Sequence, residues 1–143
     1  MWMAAFCNPL SAREADPVLG VGLDLVHVDR AARLLEAHGE MLLRRILHDN
    51  ERRGKGLRPP PEHLATVLAA KEAFFKALGH GLAGPFDWPQ AEVAAEGGAT
   101  LTPRGPALAA LQARGVTHIL FNVGELGNIR FAFTILWRNG HAR

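Results

Sequence analysis

The stretch from Glu62 to Leu78 must form a long helix, and it sets the centre of any fold open to this chain. Three successive prolines at 59–61 bar a helix interior before it, because proline removes a backbone hydrogen bond and clashes with the preceding turn. Gly79-His80-Gly81 offers a glycine-broken stop after it. Between these limits Leu64, Val67, Leu68, Phe74, Phe75 and Leu78 fall on one broad apolar stripe at helical spacing, so both phenylalanines read as core. Lys71 projects within the stripe, Glu72 lies at its edge and Lys76 beyond it. A lysine among apolar neighbours either snorkels to the surface or meets a buried anion.

The remaining pattern supplies strands and shorter helices. Val18 to Val28 is rich in Val and Leu and predicts a buried strand, with Gly20 and Gly22 allowing another backbone or a ligand to approach closely. Asp29 is placed to cap a helix through Ala31 to Ala37, stopped at His38-Gly39, with a second short helix from Glu40 to Leu47. Trp88 to Ala95 and Ala99 to Leu101 predict a hairpin around Gly97-Gly98. Thr102-Pro103 suits the cap and first position of a helix from Arg104 to Arg114, closed by Gly115. Val116 to Val123 and Ile129 to Trp137 predict a second hairpin across residues 124–128. The expected fold is α+β: one compact domain with antiparallel sheet segments packed on a long central helix.

A chain of 143 residues has material for one core. The expected division is a flexible tail over 1–16, a domain over 17–138 and a short tail over 139–143. An apolar fraction of 48% argues against disorder, and no run reaches the ~20 apolar residues of a membrane span. The apolar start, Met1 to Cys7, has no basic residues before it and does not read as a secretory signal. Cys7 is the only cysteine, so no intrachain disulfide can form, and a reducing cytoplasm is the expected setting. Ser11 is the only serine and lies in the tail, which disfavours serine-nucleophile chemistry. Seven scattered histidines give no tight metal-ligand pair on a helix.

Arg44, Arg45, Arg52, Arg53, Lys55 and Arg58 cluster, diluted by Asp49 and Glu51. Such a cluster is either a solvated face or a surface for a polyanion. Nucleic acid is disfavoured, since no aromatic side chain interleaves the basic residues.

Glu72 and Lys76 sit one turn apart on one helix face. As an isolated exposed pair they contribute little, about 0.3 kcal/mol. Paired with Asp24 from the strand, however, Glu72 offers a second carboxylate from a separate element. Two carboxylates that leave most of the coordination sphere to water and phosphate suit Mg²⁺. The ordered elements Gly22-Leu23-Asp24 and Lys71 to Ala77 resemble those of the holo-acyl-carrier-protein synthase family, the small 4′-phosphopantetheinyl transferases. The intervening Val28-Asp29-Arg30, Arg45-Ile46-Leu47 and Glu51 also fit, and the resemblance spans roughly Leu19 to Leu136. Three family features are replaced. A Ser-x-Ser-His stretch corresponds to Asn122-Val123-Gly124-Glu125, an arginine before the Lys-Glu pair to Val67, and a Gly-Lys-Pro turn to Gly98-Ala99-Thr100.

The resemblance implies Mg²⁺-dependent transfer of 4′-phosphopantetheine from coenzyme A to a serine of an apo acyl carrier protein. It implies Asp24, Glu72 and Lys76 as catalytic residues, with Mg²⁺ on Asp24 and Glu72. Lys71, Lys76, Gly79 and Gly81 would contact the cofactor, and Arg30, Arg44, Arg45, Arg52 and Arg53 the acidic carrier. A homotrimer is implied, with the active site between subunits. The replacements leave an alternative open: a family-like scaffold that has lost this transfer and acts on pantetheinyl substrates in a fatty-acid or polyketide pathway. Glu125 is expected to bear on that choice. A like-charge contact with a polyanionic ligand at ~4 Å costs several kcal/mol at an effective dielectric of about 20.

Overall fold

A computed structural model of the chain describes residues 17–52, 59–94 and 99–139. Strand β1 (Val18–His27) leads into helix α1 (Val28–Ile46), followed by a single turn α2 (Asp49–Arg52) and the central helix α3 (Pro61–Ala77). A 3-10 turn at Trp88–Gln90 precedes the short strands β2 (Ala91–Ala94) and β3 (Thr100–Pro103). Helix α4 (Gly105–Ala113) then runs to the long hairpin β4 (His118–Leu126) and β5 (Ile129–Trp137). The strands form two antiparallel sheets, one ordered β1-β5-β4 and the other β2-β3.

Helix α3 is buried almost all round, not along one stripe: Leu64, Val67, Phe74 and Phe75 are fully enclosed, and so are Ala65, Ala69, Ala70 and Ala73. A helix with apolar residues on every side belongs between layers. One end of α3 shares a core with β1 and α1 through Val26, Leu35, Leu43 and Ile46. The other shares one with Leu111 of α4 and Leu136 of β5. At the second end Phe74 and Phe75 meet edge-on, their ring centroids 5.2 Å apart.

Local chemistry explains where the elements start and stop. Helix α1 begins at Val28, so Asp29 sits in its first turn and favours the helix through the dipole instead of capping it. The two helices expected on either side of Gly39 form one kinked element, because Gly39 takes a positive φ of 48°. Pro61 occupies the opening of α3, the one helical position where its missing N–H is harmless. In α4 that part is played by Pro106, while Thr102 and Pro103 stay in β3. Residues 95–98, including the expected Gly97-Gly98 turn, lie outside the described residues.

Candidate active site

Gly20 and Gly22 set the site. A Cβ at Gly22 would lie 1.8 Å from the Ala73 carbonyl oxygen, and one at Gly20 would lie 2.0 Å from that of Ala77. Strand β1 therefore runs directly against the backbone of α3, which only glycine permits. Two strand residues advance about 6.6 Å and four helix residues about 6 Å, so strand and helix stay in step along this contact. Asp24 is next on the same strand face and arrives beside the polar edge of α3.

There the Asp24 Oδ1 accepts a hydrogen bond from the Lys76 ammonium at 2.7 Å, and Lys76 also donates to the Leu23 carbonyl at 3.2 Å. Asp24 is largely covered, whereas Lys76 is half-exposed. Burial holds the Glu72 carboxyl above the usual carboxylate range, and the negative charge of Asp24 raises it further, against opposing pulls from Lys76 and Arg30. Asp24, Glu72, Lys76, Arg30 and Arg45 all line one cavity of about 440 Å³, walled by apolar residues that include Ile46, Leu68 and Trp88. Two acids and three bases thus converge on one depression, the pattern a phosphate-rich ligand with a divalent cation requires. Among the described residues no group of three or more His, Cys, Asp or Glu could hold a metal, so a cation here would rest on two carboxylates and on the ligand's own oxygens.

The other expected residues fall elsewhere. Lys71 is fully buried, and its ammonium donates to the Glu51 carboxylate and the Ile46 carbonyl, each at 2.7 Å, and to the Trp88 carbonyl at 3.2 Å. The anion it meets is the protein's own Glu51, which corrects the expectation that Lys71 contacts cofactor: a lysine has three donors, and all are engaged. Gly79 and Gly81 have positive φ of 87° and 57°, and their N–H groups close the end of α3 onto the Lys76 and Phe75 carbonyls. They are helix-ending residues outside the cavity lining. Arg44 and Arg52 both pair with Glu40, at 3.0 and 2.9 Å, while Arg44 and Arg45 border a second depression that includes Met41 and Pro89. Arg53 lies outside the described residues.

The replaced positions have local explanations. Val67 is enclosed in the core. Gly124 carries the Phe131 ring on its open face, and a Cβ there would sit 2.3 Å from the ring. Asn122 turns its side chain back to its neighbour, accepting from the Val123 N–H at 2.8 Å. Glu125 pairs with Arg130 at 3.2 Å, its partner across the hairpin, so its charge is compensated, and it is absent from the cavity lining. The repulsion expected from Glu125 has no counterpart within this chain. Sequence reasoning missed Trp88, Ile46 and Leu68 as cavity walls. The position of Lys71 in an apolar stripe pointed to a buried anion without naming Glu51.

Comparison with known proteins matches residues 20–134 to the family model of the 4′-phosphopantetheinyl transferase superfamily. A holo-[acyl-carrier-protein] synthase of Syntrophotalea carbinolica is 35% identical over 123 residues, 84% of this chain and 96% of that protein. One of Azoarcus sp. is 49% identical over 67 residues, 46% of this chain, and that match spans only about half of the relative, 54%. The solved coenzyme A complex of the Chronobacterium ammoniagenes synthase superposes with a TM-score of 0.69 at 28% identity, covering 84% of this chain and 97% of that one. Over nearly all of its described length, this chain belongs to the 4′-phosphopantetheinyl transferase superfamily.

Proposed function

We propose that this protein transfers 4′-phosphopantetheine from coenzyme A to a serine of an apo acyl carrier protein, with Mg²⁺ held by Asp24 and Glu72. The observation that carries the reading is the meeting of Asp24, Glu72 and Lys76, from a strand and a helix, in one cavity. The names of the synthases matched above and the coenzyme A complex of one of them support the substrate pair.

In this reaction the carrier serine Oγ attacks the β-phosphorus of the pyrophosphate. The bond to the bridging oxygen breaks, and adenosine 3′,5′-bisphosphate leaves. A divalent cation supplies neutralisation of the pyrophosphate charge. Lys76 places a fixed positive charge against the same oxygens, and such positioning and charge stabilisation provide most of the acceleration in phosphoryl transfer. The serine proton passes to a base at the cavity, for which Asp24 and Glu72 are the carboxylates at hand.

Arg30 and Arg45 at the cavity, with Arg44 and Met41 beside it, offer a basic and partly apolar approach for an acidic carrier. The compensation of Glu125 by Arg130 and the filling of Gly124 by Phe131 support transfer over a scaffold that has lost it. Assembly into a trimer with shared sites and a cytoplasmic setting complete the reading. Calorimetric titration of Mg²⁺ or Mn²⁺ with coenzyme A present tests the site. The metal-dependent heat disappears in Asp24→Ala and Glu72→Ala, and unchanged binding in both variants would remove the assignment.

A further inference from the structure

Among the described residues Glu51 and Lys71 are the buried charged side chains, and the transfer chemistry uses neither. Their bonds reach widely. Besides the three acceptors of Lys71, the Glu51 carboxylate takes the His48 N–H on Oε2 and the Val93 N–H on Oε1, the latter at 2.8 Å. One ion pair thus joins the end of α1, the α2 turn, α3, the 3-10 turn and β2. Two of the groups it holds, the carbonyls of Ile46 and Trp88, belong to residues that wall the cavity of Asp24 and Glu72. Glu72 itself follows Lys71 directly in the chain.

For stability alone this pair is a poor solution. Withdrawing two charges from water is costly, and apolar residues of similar volume often serve as well or better. An apolar pair cannot fix the direction of two carbonyls and two amides. That directional hold coincides with the cavity walls. We propose that Lys71 and Glu51 are positioning residues for the transfer reaction: they set the spacing of the Ile46 and Trp88 walls from the Asp24–Glu72 pair and so seat the pyrophosphate for in-line attack. The proposal rests on the transferase reading above. Neither residue touches substrate; both act through Ile46 and Trp88. A displacement of about 1 Å in a reacting geometry changes rates by about 10²-fold, so a slack wall is measurable.

The test is Lys71→Met combined with Glu51→Gln, which removes both charges, keeps volume and leaves one side-chain acceptor, for either the His48 or the Val93 amide. Glu51→Gln alone, whose lysine can neutralise by losing its proton, serves as the second variant should the double one not fold. Two quantities are read: the KM for coenzyme A against kcat, and acrylamide quenching of Trp88 fluorescence in a Trp2→Phe, Trp137→Phe background that leaves Trp88 as the only tryptophan. The folded variants are expected to show a kcat lowered about tenfold or more, a smaller rise in KM, and a higher quenching constant. Wild-type kcat and wild-type quenching in a folded variant would overturn the proposal and leave the pair as core only. An inactive parent protein whose Trp88 still becomes more accessible on loss of the pair would uphold the wall-holding role while refuting the transferase reading.

Discussion

At Glu72 the chain gives up stability to keep a chemical group. A carboxyl whose folded pKa lies above its unfolded value destabilises the fold when ionised. That cost is absent below the unfolded pKa and grows as pH rises through the interval up to the folded one. Glu72→Gln is therefore expected to raise the Tm at neutral pH by up to about 3 °C and to lose most of the gain near pH 4, while abolishing transfer. Thermal scans of both proteins at the two pH values check the sign. Lys76→Met is expected to lower kcat by about 10²-fold or more with little change in Tm, since the lysine is half-exposed and its pairing with Asp24 is partly solvated. Stopped assays beside melting curves separate those effects. That Asp24, Glu72 and Lys76 would come together was expected from the two motifs and the family they resemble, and all three line one cavity. The destination of Lys71 was not, because an apolar stripe says that a lysine is enclosed without saying which anion meets it.

Among the elements, the contact of β1 with α3 decides whether the site exists. A methyl at Gly22 would have to displace backbone atoms of α3 at 1.8 to 2.9 Å, which a side chain's rotation cannot relieve. Gly22→Ala is expected to cost about 3 kcal/mol and to move Asp24 away from Glu72. Denaturant unfolding, together with loss of the metal-dependent heat, reports both consequences. The glycines announced a close approach in the sequence but could not name the partner. Helices bounded by proline and glycine were legible nearly to the residue, as at Pro61. Boundaries set by competition were less so: Pro103 and Pro106 both suit a helix start, and the pairing of Ala91↔Pro103 keeps the first in a strand. Trp88–Gln90, expected as strand, is wound into a 3-10 turn that Asp87 caps through the Trp88 N–H at 2.9 Å.

The whole molecule presents one feature that a monomer does not explain. On the sheet face away from α3, Val21, Leu23 and Leu25 are 63%, 55% and 59% exposed, and register sets them beside Ile135, Phe133 and Phe131. A contiguous apolar face of this kind is expected where copies meet. Light scattering at micromolar concentration should give a trimer mass, and Leu23→Lys with Leu25→Lys should reduce it to that of a monomer. A wild-type monomer would exclude sites shared between subunits. The Val- and Leu-rich run of β1 was expected to be a buried strand, and the exposed Val21, Leu23 and Leu25 correct this: whether a layer covers that face depends on elements distant in sequence. The central claim is that Asp24, Glu72 and Lys76 perform phosphopantetheinyl transfer, and the intact mass of an apo acyl carrier protein tests it most directly. After incubation with this protein, coenzyme A and Mg²⁺, the carrier mass should rise by one phosphopantetheine group with the wild-type chain and stay unchanged with Asp24→Ala or Glu72→Ala. An unmodified carrier with the wild-type protein, when a related synthase modifies the same preparation, would contradict the claim.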